Sequence, residues 1–235
     1  MTGIQHEIAL QVSGVGVCYK QKTGLFSSSD FWAINNISFD IMHGDTLGVI
    51  GRNGVGKSTL LKVMTGIIEP DRGHVNAFGN SVSLLGLLVG FNQTLSGRDN
   101  AVMNAMLQGV SQKDIEDKLD EVEAFAELKG FFDQPVRTYS AGMRTRLRFA
   151  IAIQVNPDIL LIDEVLGVGD AAFSKKSGKV IRERIESDQT VMIVSHHLET
   201  LYELCNRVVW LDGGETKMIG PTAEVLDSYK KAVEV

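Results

Sequence analysis

Cysteine is scarce in this chain. Cys18 and Cys205 are its only two, far apart in 235 residues, so no disulfide framework is implied, and a reducing cytosol is the expected setting. A basic excess is missing as well. The net charge is −6, which argues against a dedicated nucleic-acid surface and predicts no nucleic-acid partner. No apolar run approaches the roughly 18–20 residues needed to cross a bilayer, and the opening MTGIQHEIAL has neither basic leader nor long apolar core, so no signal peptide is read. If the protein serves a membrane, it does so through a partner. No internal repeat is found, and charged residues vanish entirely from Asn80 to Gly97.

What remains is ordinary globular composition, 44% hydrophobic and 22% charged, in a length that suits one domain with a core of its own. The chain is organised around Gly51-Arg52-Asn53-Gly54-Val55-Gly56-Lys57-Ser58-Thr59, which fits the phosphate-binding pattern G-x-x-x-x-G-K-[ST] at every fixed position. Thr46 to Ile50 before it reads as a buried strand. Leu60, Leu61, Val63 and Met64 after it fall at helical spacing, ending near Gly66. Glycines let the backbone curl so that several N–H groups face one anion, and the helix N-terminus adds its positive end. Lys57 then reaches the β- and γ-phosphates as a point charge, and the Ser58 hydroxyl suits Mg²⁺.

Along the rest of the chain, Ile8–Val12, Gly14–Lys20, Ile37–Ile41 and His74–Phe78 read as strands, and the serine-rich stretch Gln21–Trp32 as a loop. Val82–Leu88 reads as a buried strand, while Val89–Leu95 is open to a second reading as an apolar contact surface. Ser96 with Asp99, and Ser111 with Asp114, look like helix N-caps. Ile115, Leu119, Val122, Phe125 and Ala126 mark one face of a helix that Gly130 follows. A further helix runs from Gly142 to a stop at Pro157. The all-helical section from about Ser96 to Phe132 interrupts the α/β rhythm and, with the helix after it, gives an inserted helical subdomain over about 96–156 of a single 1–235 domain. Strands at Asp158–Asp163 and Thr190–Val194, helices near Lys175–Ser187 and Leu198–Cys205, a hairpin of Arg207–Asp212 and Glu215–Ile219, and a last helix after Pro221 complete a mostly parallel α/β sheet.

Two apolar strands end in polar pairs, and ligands of open parallel sheets bind at the carboxyl ends of strands. Ile159–Ile162 ends in Asp163 and Glu164. Asp163 is placed to hold Mg²⁺ through water, and Glu164 to polarise an attacking water as general base. Val191–Val194 ends in Ser195 and His196; His196 is either a donor to the γ-phosphate or a structural strand-end residue. His197 reads as a solvent or packing residue. Tyr19 either stacks on an adenine face or is a half-buried strand aromatic. Ser140, at the helix start Tyr139-Ser140-Ala141-Gly142-Met143, is either a plain cap or part of a phosphate-binding helix end supplied to another copy in trans.

Taken together, these residues resemble the nucleotide-binding subunit of an ATP-binding cassette transporter. Gly51–Thr59 resembles its first phosphate motif, Ile159–Glu164 its Mg²⁺ and base strand, Tyr139–Met143 its signature, Gly167–Asp170 its dimer-facing loop, and His196 its switch histidine. The match extends from Tyr19 to His196. Gly90-Phe91, Leu95–Asn100, Tyr139–Met143, Asp163–Asp170 and Ser195–His197, with the long Tyr19–Ala33 segment, are similar to exporters of O-antigen, capsule-like glycan and teichoic acid. The resemblance implies a phosphate-loop NTPase fold with an N-terminal antiparallel β portion and an inserted helical subdomain. It implies ATP and Mg²⁺ as ligands, held by Tyr19, Gly51, Asn53, Gly54, Val55, Gly56, Lys57, Ser58, Thr59 and Asp163, with Glu164, His196 and Lys57 in catalysis. It implies a homodimer, each copy closing the other's site with Ser140, Ala141, Gly142 and Asp170. Such a dimer drives membrane permease subunits that export a lipid-linked polysaccharide, from the cytoplasmic face of the inner membrane. The rival readings are a non-transport cassette ATPase and a nucleotide-gated binding module with little turnover.

Three departures from the family stand out. Ala141 and Met143 replace a glycine and a glutamine of the general signature. Counting back from Leu95–Asn100 puts the γ-phosphate-sensing glutamine at about Gly86 or Leu87, neither of which can serve, and Gln93 is out of register. The sequence given stops at Val235, just after the last predicted helix, so the added C-terminal β-sandwich of some relatives is expected to be absent.

Overall fold

The computed structural model describes residues 7–22, 28–85, 90–163 and 170–233. Two compact units emerge, one of Met1–Leu84, Asp158–Glu164 and Ile185–Val235, the other of Leu85–Pro157 and Val165–Arg184.

The first unit is built on one nine-stranded sheet of order β4-β1-β2-β9-β8-β3-β7-β6-β5. Its strands are β1 (Ile8–Lys22), β2 (Ser28–Met42), β3 (Thr46–Ile50), β4 (Arg72–Asn76), β5 (Val82–Leu84), β6 (Ile159–Asp163), β7 (Thr190–Val194), β8 (Arg207–Asp212) and β9 (Glu215–Pro221). The central strands β3 and β7 are buried at all five positions, as continuous apolar runs in a covered parallel sheet must be. β8, β3, β7, β6 and β5 run parallel to one another, and β2 pairs parallel with β9, whereas β1 pairs antiparallel with β2 and β4, and β8 with β9. Ile37, Phe39 and Ile41 of β2 are all buried, the inward half of an alternating strand.

The register fixes what meets at the carboxyl end of the sheet. Val49 of β3 lies opposite Val194 of β7, and Val194 opposite Asp163 of β6. The residues that follow β3 and β7, and the last residue of β6, therefore share one edge. At the other end, the carboxylate of Asp45, buried just before β3, accepts from Arg207 at 2.6 Å, Asn206 at 2.9 Å and the Met42 N–H at 3.1 Å. Between the two ends, a Cβ on Gly48 would lie 3.0 Å from Cys205 Sγ, 3.0 Å from Val208 Cγ2 and 3.1 Å from Leu201 Cδ2. Helix α7 (Leu198–Leu204) thus packs against bare backbone of β3.

The second unit holds α2 (Gly97–Leu107), α3 (Gln112–Glu116), α4 (Leu119–Ala126), a single 3₁₀ turn (Val136–Thr138), α5 (Ala141–Ala152) and nearly all of α6 (Ala171–Ile185). Ser96 and Asp99 form a reciprocal capping box at α2, and Ser111 caps α3. Leu128, Phe132, Val122 and Leu147 fill this unit's core with Ile115, and Phe125, Phe149 and Phe173 meet with centroids 5.6–5.9 Å apart. Helices α1 (Lys57–Met64) and α8 (Thr222–Val233) belong to the first unit.

Several sequence expectations need correction. Gln21–Trp32 is not wholly a loop. β1 continues to Lys22 and β2 begins at Ser28, with Tyr19 opposite Phe31, Lys20 opposite Asp30 and Gln21 opposite Ser29. Ladder hydrogen bonds join backbones and need no apolar alternation, so serine-rich strands give no periodic signal. Residues 23–27 lie outside the described residues, as do 86–88 of the Val82–Leu88 strand. The single helix read over 115–126 is two, α3 and α4. α4 ends at Ala126, ahead of Gly130 as read, but the residue that takes the left-handed conformation at its end is Glu127, at φ 57°. Ala152 ends α5, before Pro157 is reached, and α6 begins at Ala171, ahead of Lys175.

Candidate functional site

The loop after β3 has the shape that its glycines permit. Gly54 and Gly56 sit at φ 81° and 100°, where other residues are strained. A Cβ on Gly56 would fall 2.2 Å from Ile34 Cγ2 and 2.4 Å from the Ala33 carbonyl oxygen, and one on Gly51 only 2.5 Å from the Leu211 oxygen. No side chain caps α1, and its first turn has no acid. Its leading N–H groups and positive dipole end are thereby left for an external anion. Arg52, Asn53, Gly54 and Ser58 are exposed, with Val55 and Thr59 half-buried. Lys57 curls back over the loop, donating to the Gly51 carbonyl at 2.7 Å and the Arg52 carbonyl at 3.2 Å.

Asp163 faces this lysine from the end of β6, and α1 touches β6. Burial lowers the Lys57 pKa while the Asp163 charge opposes that shift; burial raises the Asp163 pKa while Lys57 opposes it. Each thus offsets part of the other's desolvation. Beyond β7, buried Ser195 donates its N–H to the Val49 carbonyl at 3.3 Å, and its hydroxyl accepts from the His197 N–H at 3.0 Å. His196 is exposed at the same sheet edge. The structure therefore brings together Gly51–Thr59, Asp163 and His196. Tyr19 is exposed on β1 opposite Phe31, two residues along β2 from the Ala33 that borders Gly56. Glu164, and Gly167–Gly169 of the dimer-facing loop, lie outside the described residues, as do Gly86 and Leu87.

The second unit presents the remaining predicted residues. Ser140 is a true cap, its hydroxyl accepting from the Met143 N–H at 3.2 Å. Ala141 and Gly142 open α5 in helical conformation, exposed and without an acid in the first turn. Ala141 thus keeps its N–H at a negative φ, and the departure from glycine carries no backbone strain. Asp170 caps α6, accepting from the Ala172 and Phe173 N–H groups at 3.1 and 3.0 Å, which hold its carboxyl below the usual range. It also meets Arg146 at 3.5 Å.

Two supports escaped the sequence reading. The buried Tyr139 hydroxyl donates to the Phe131 carbonyl at 2.7 Å, and a Cβ on Gly97 would sit 2.2 Å from that hydroxyl. Desolvation pushes the Tyr139 pKa up to about 12. Arg144 donates to the Tyr139 carbonyl at 2.6 Å, and Arg146 to the Ala126 carbonyl at 3.0 Å, so the alternating arginines of α5 tie its start to the unit around it. The close Gly97–Tyr139 approach has no sequence signal.

Fold and site define a nucleotide-binding protein of the phosphate-loop class. A family model described as ABC transporter matches residues 34–167. The chain is 38% identical over 230 residues to an O-antigen export system ATP-binding protein, RfbB, of Klebsiella pneumoniae, covering 98% of this chain and 94% of that one. It is 44% identical over 208 residues to the teichoic acids export ATP-binding protein TagH of Lactococcus lactis, covering 88% of this chain and 44% of that one. A solved ATP-binding subunit of an ABC transporter superposes with a TM-score of 0.72 at 20% identity, covering 94% of this chain and 93% of that one. The chain belongs to the ABC transporter family, in its ATP-binding part. It spans less than half of the Lactococcus relative and 46% of a Myxococcus xanthus RfbB.

Proposed function

We propose that this chain binds and hydrolyses ATP with Mg²⁺ as a homodimer, and that the dimer drives permease subunits that export a lipid-linked surface polysaccharide across the inner membrane. The observation that carries the reading is the anion-ready loop with Lys57 facing Asp163 at one sheet edge. The relatives named for O-antigen and teichoic acid export supply the substrate class. Among the described residues no helix is long and apolar enough to cross a membrane; the peripheral place on the cytoplasmic face, held by the permease, belongs to the transporter reading itself.

Within this reading the loop N–H groups and Lys57 bind the phosphates, and Tyr19 stacks on the base. Ser58 and Asp163 offer one hydroxyl and one carboxylate for the metal. Among the described residues no cluster of three or more His, Cys, Asp or Glu could hold a metal. That donor set fits Mg²⁺, which takes few protein oxygens and fills its shell with phosphate and water. The bound ion supplies charge neutralisation of the phosphates. Glu164 orients the attacking water and accepts its proton, and His196 donates to the transferring phosphoryl group. Ser140, Ala141 and Gly142 present the start of α5, and Asp170 the edge of its loop, to the nucleotide held by the other copy.

The test uses purified chain and steady-state phosphate release. Glu164→Gln should lower turnover by about 10²-fold or more and keep ATP binding, with a nucleotide-dependent dimer seen by light scattering. Near-normal turnover in that variant removes Glu164 from the base role. In the parent cell, loss of the protein should strand completed glycan on the cytoplasmic side; normal surface glycan would remove the export reading.

A further inference from the structure

Successive residues of an extended chain point to opposite sides. His196 and His197 do not: their ring centroids are 3.9 Å apart, tilted by 40°. The turn that turns the two rings together is built by Ser195, whose buried hydroxyl accepts the His197 N–H at 3.0 Å while its own N–H donates to the Val49 carbonyl at the end of β3. His197 also occupies the N-cap of α7, in extended conformation, and makes no side-chain cap hydrogen bond. Ser, Thr, Asp or Asn at that position would accept from the first helical N–H groups. The chain instead spends the position on an exposed ring whose contact is the neighbouring imidazole.

We propose that His197 is a positioning residue: its ring packs at a tilt against His196 and holds that imidazole at the sheet edge where the phosphates bind. The inference rests on the role given to His196 above and gives His197 more than the solvent or packing place that its sequence context predicts. Two rings in such close contact restrict each other's rotation. The contact limits where the His196 ring can go at that edge, and His197 does not itself touch the reacting atoms. Because any flat ring can do this, the role depends on shape and not on the second imidazole's proton.

Four variants in steady-state phosphate release, with melting temperatures and histidine proton NMR, decide it. His197→Ala should lower kcat about two- to tenfold, leave KM for ATP unchanged, and remove the upfield ring-current shift of the His196 ring protons. His197→Phe should restore most of kcat. His197→Asp should cap α7 and raise the melting temperature, yet lower kcat, whereas a merely structural residue would not separate stability from turnover. Wild-type kcat in His197→Ala, or a His197→Phe variant as slow as His197→Ala, overturns the proposal. Full turnover in His196→Ala removes the role of His196, and this inference with it. Loss in His196→Ala with none in His197→Ala removes this inference alone.

Discussion

Lys57 and Asp163, from α1 and the end of β6, each oppose the cost of burying the other's charge. The balance falls against both. Desolvation is the larger cause on each side, so the Lys57 pKa stays below 10.5 and that of Asp163 above 3.8. The raised carboxyl binds more protons folded than unfolded, so its contribution is full below pH 3.8 and lost as pH rises through its folded value. The lowered lysine binds fewer protons when folded, so stability rises with pH in the window just below 10.5. At neutral pH an empty site therefore holds two charges that would both be better solvated outside it. Asp163→Asn should leave the nucleotide-free chain as stable or raise its melting temperature by up to about 2–4 °C, the shift for about 1 kcal/mol at this size. The same variant should lose the further rise that Mg-ATP gives the wild type. Scanning fluorimetry at pH 7, with and without Mg-ATP, checks both.

Gly54 and Gly56 have similar left-handed backbones and different surroundings. A Cβ on Gly54 meets nothing within 4 Å, while one on Gly56 meets Ile34 and the Ala33 backbone. Gly54→Ala should cost about 1–2 kcal/mol of conformational strain, and Gly56→Ala should cost more and weaken ATP binding, since Ala33 or the loop must shift. Urea unfolding and nucleotide titration of the two variants separate strain from collision.

The Tyr139 hydroxyl should stay protonated well past its ordinary range. Its folded pKa of about 12 against 10.0 means that its contribution is complete below pH 10 and is lost as pH climbs toward 12. Tyr139→Phe should cost about 1 kcal/mol by removing one of the two donors to the Phe131 carbonyl, which keeps the Gln134 N–H, and should remove the late-titrating phenol from an absorbance titration. Gly97→Ala should be the more damaging of the two, because a methyl there displaces the hydroxyl outright.

Asp45 lies at the end of the sheet remote from the loop. Asp45→Ala removes the acceptor for Arg207, Asn206 and the Met42 N–H and should cost about 3 kcal/mol or more. ATP affinity measured well below the melting temperature should not change.

The sequence made some of this legible and hid the rest for identifiable reasons. The strand, glycine loop and helix around Lys57 could be read because each glycine answers a backbone demand and each flanking residue follows one period. Asp163 could be read because an acid after four apolar residues marks a strand's carboxyl end. The β1–β2 hairpin beyond Tyr19 could not, because its pairing is backbone chemistry under polar side chains. In sequence Asp170 reads as a loop residue facing a partner, yet an aspartate just before an alanine pair is also the mark of its capping of α6, which starts at Ala171. The αL turn at Glu127 could not be foreseen while Gly130, with φ 82°, stood three residues on. The contact of His196 with His197 depends on a turn that alternation rules do not contain.

The missing side chain at Gly48 makes Cys205 a gauge of local opening. Its sulfur is buried, 3.0 Å from where a Cβ on that glycine would stand, and its thiol pKa is pushed up to about 12. A thiol so placed reacts with alkylating reagents only when α7 lifts from β3. The labelling rate of Cys205 therefore clocks the breathing of the layer that carries His196 to its place, and nucleotide that tightens this layer should slow the clock.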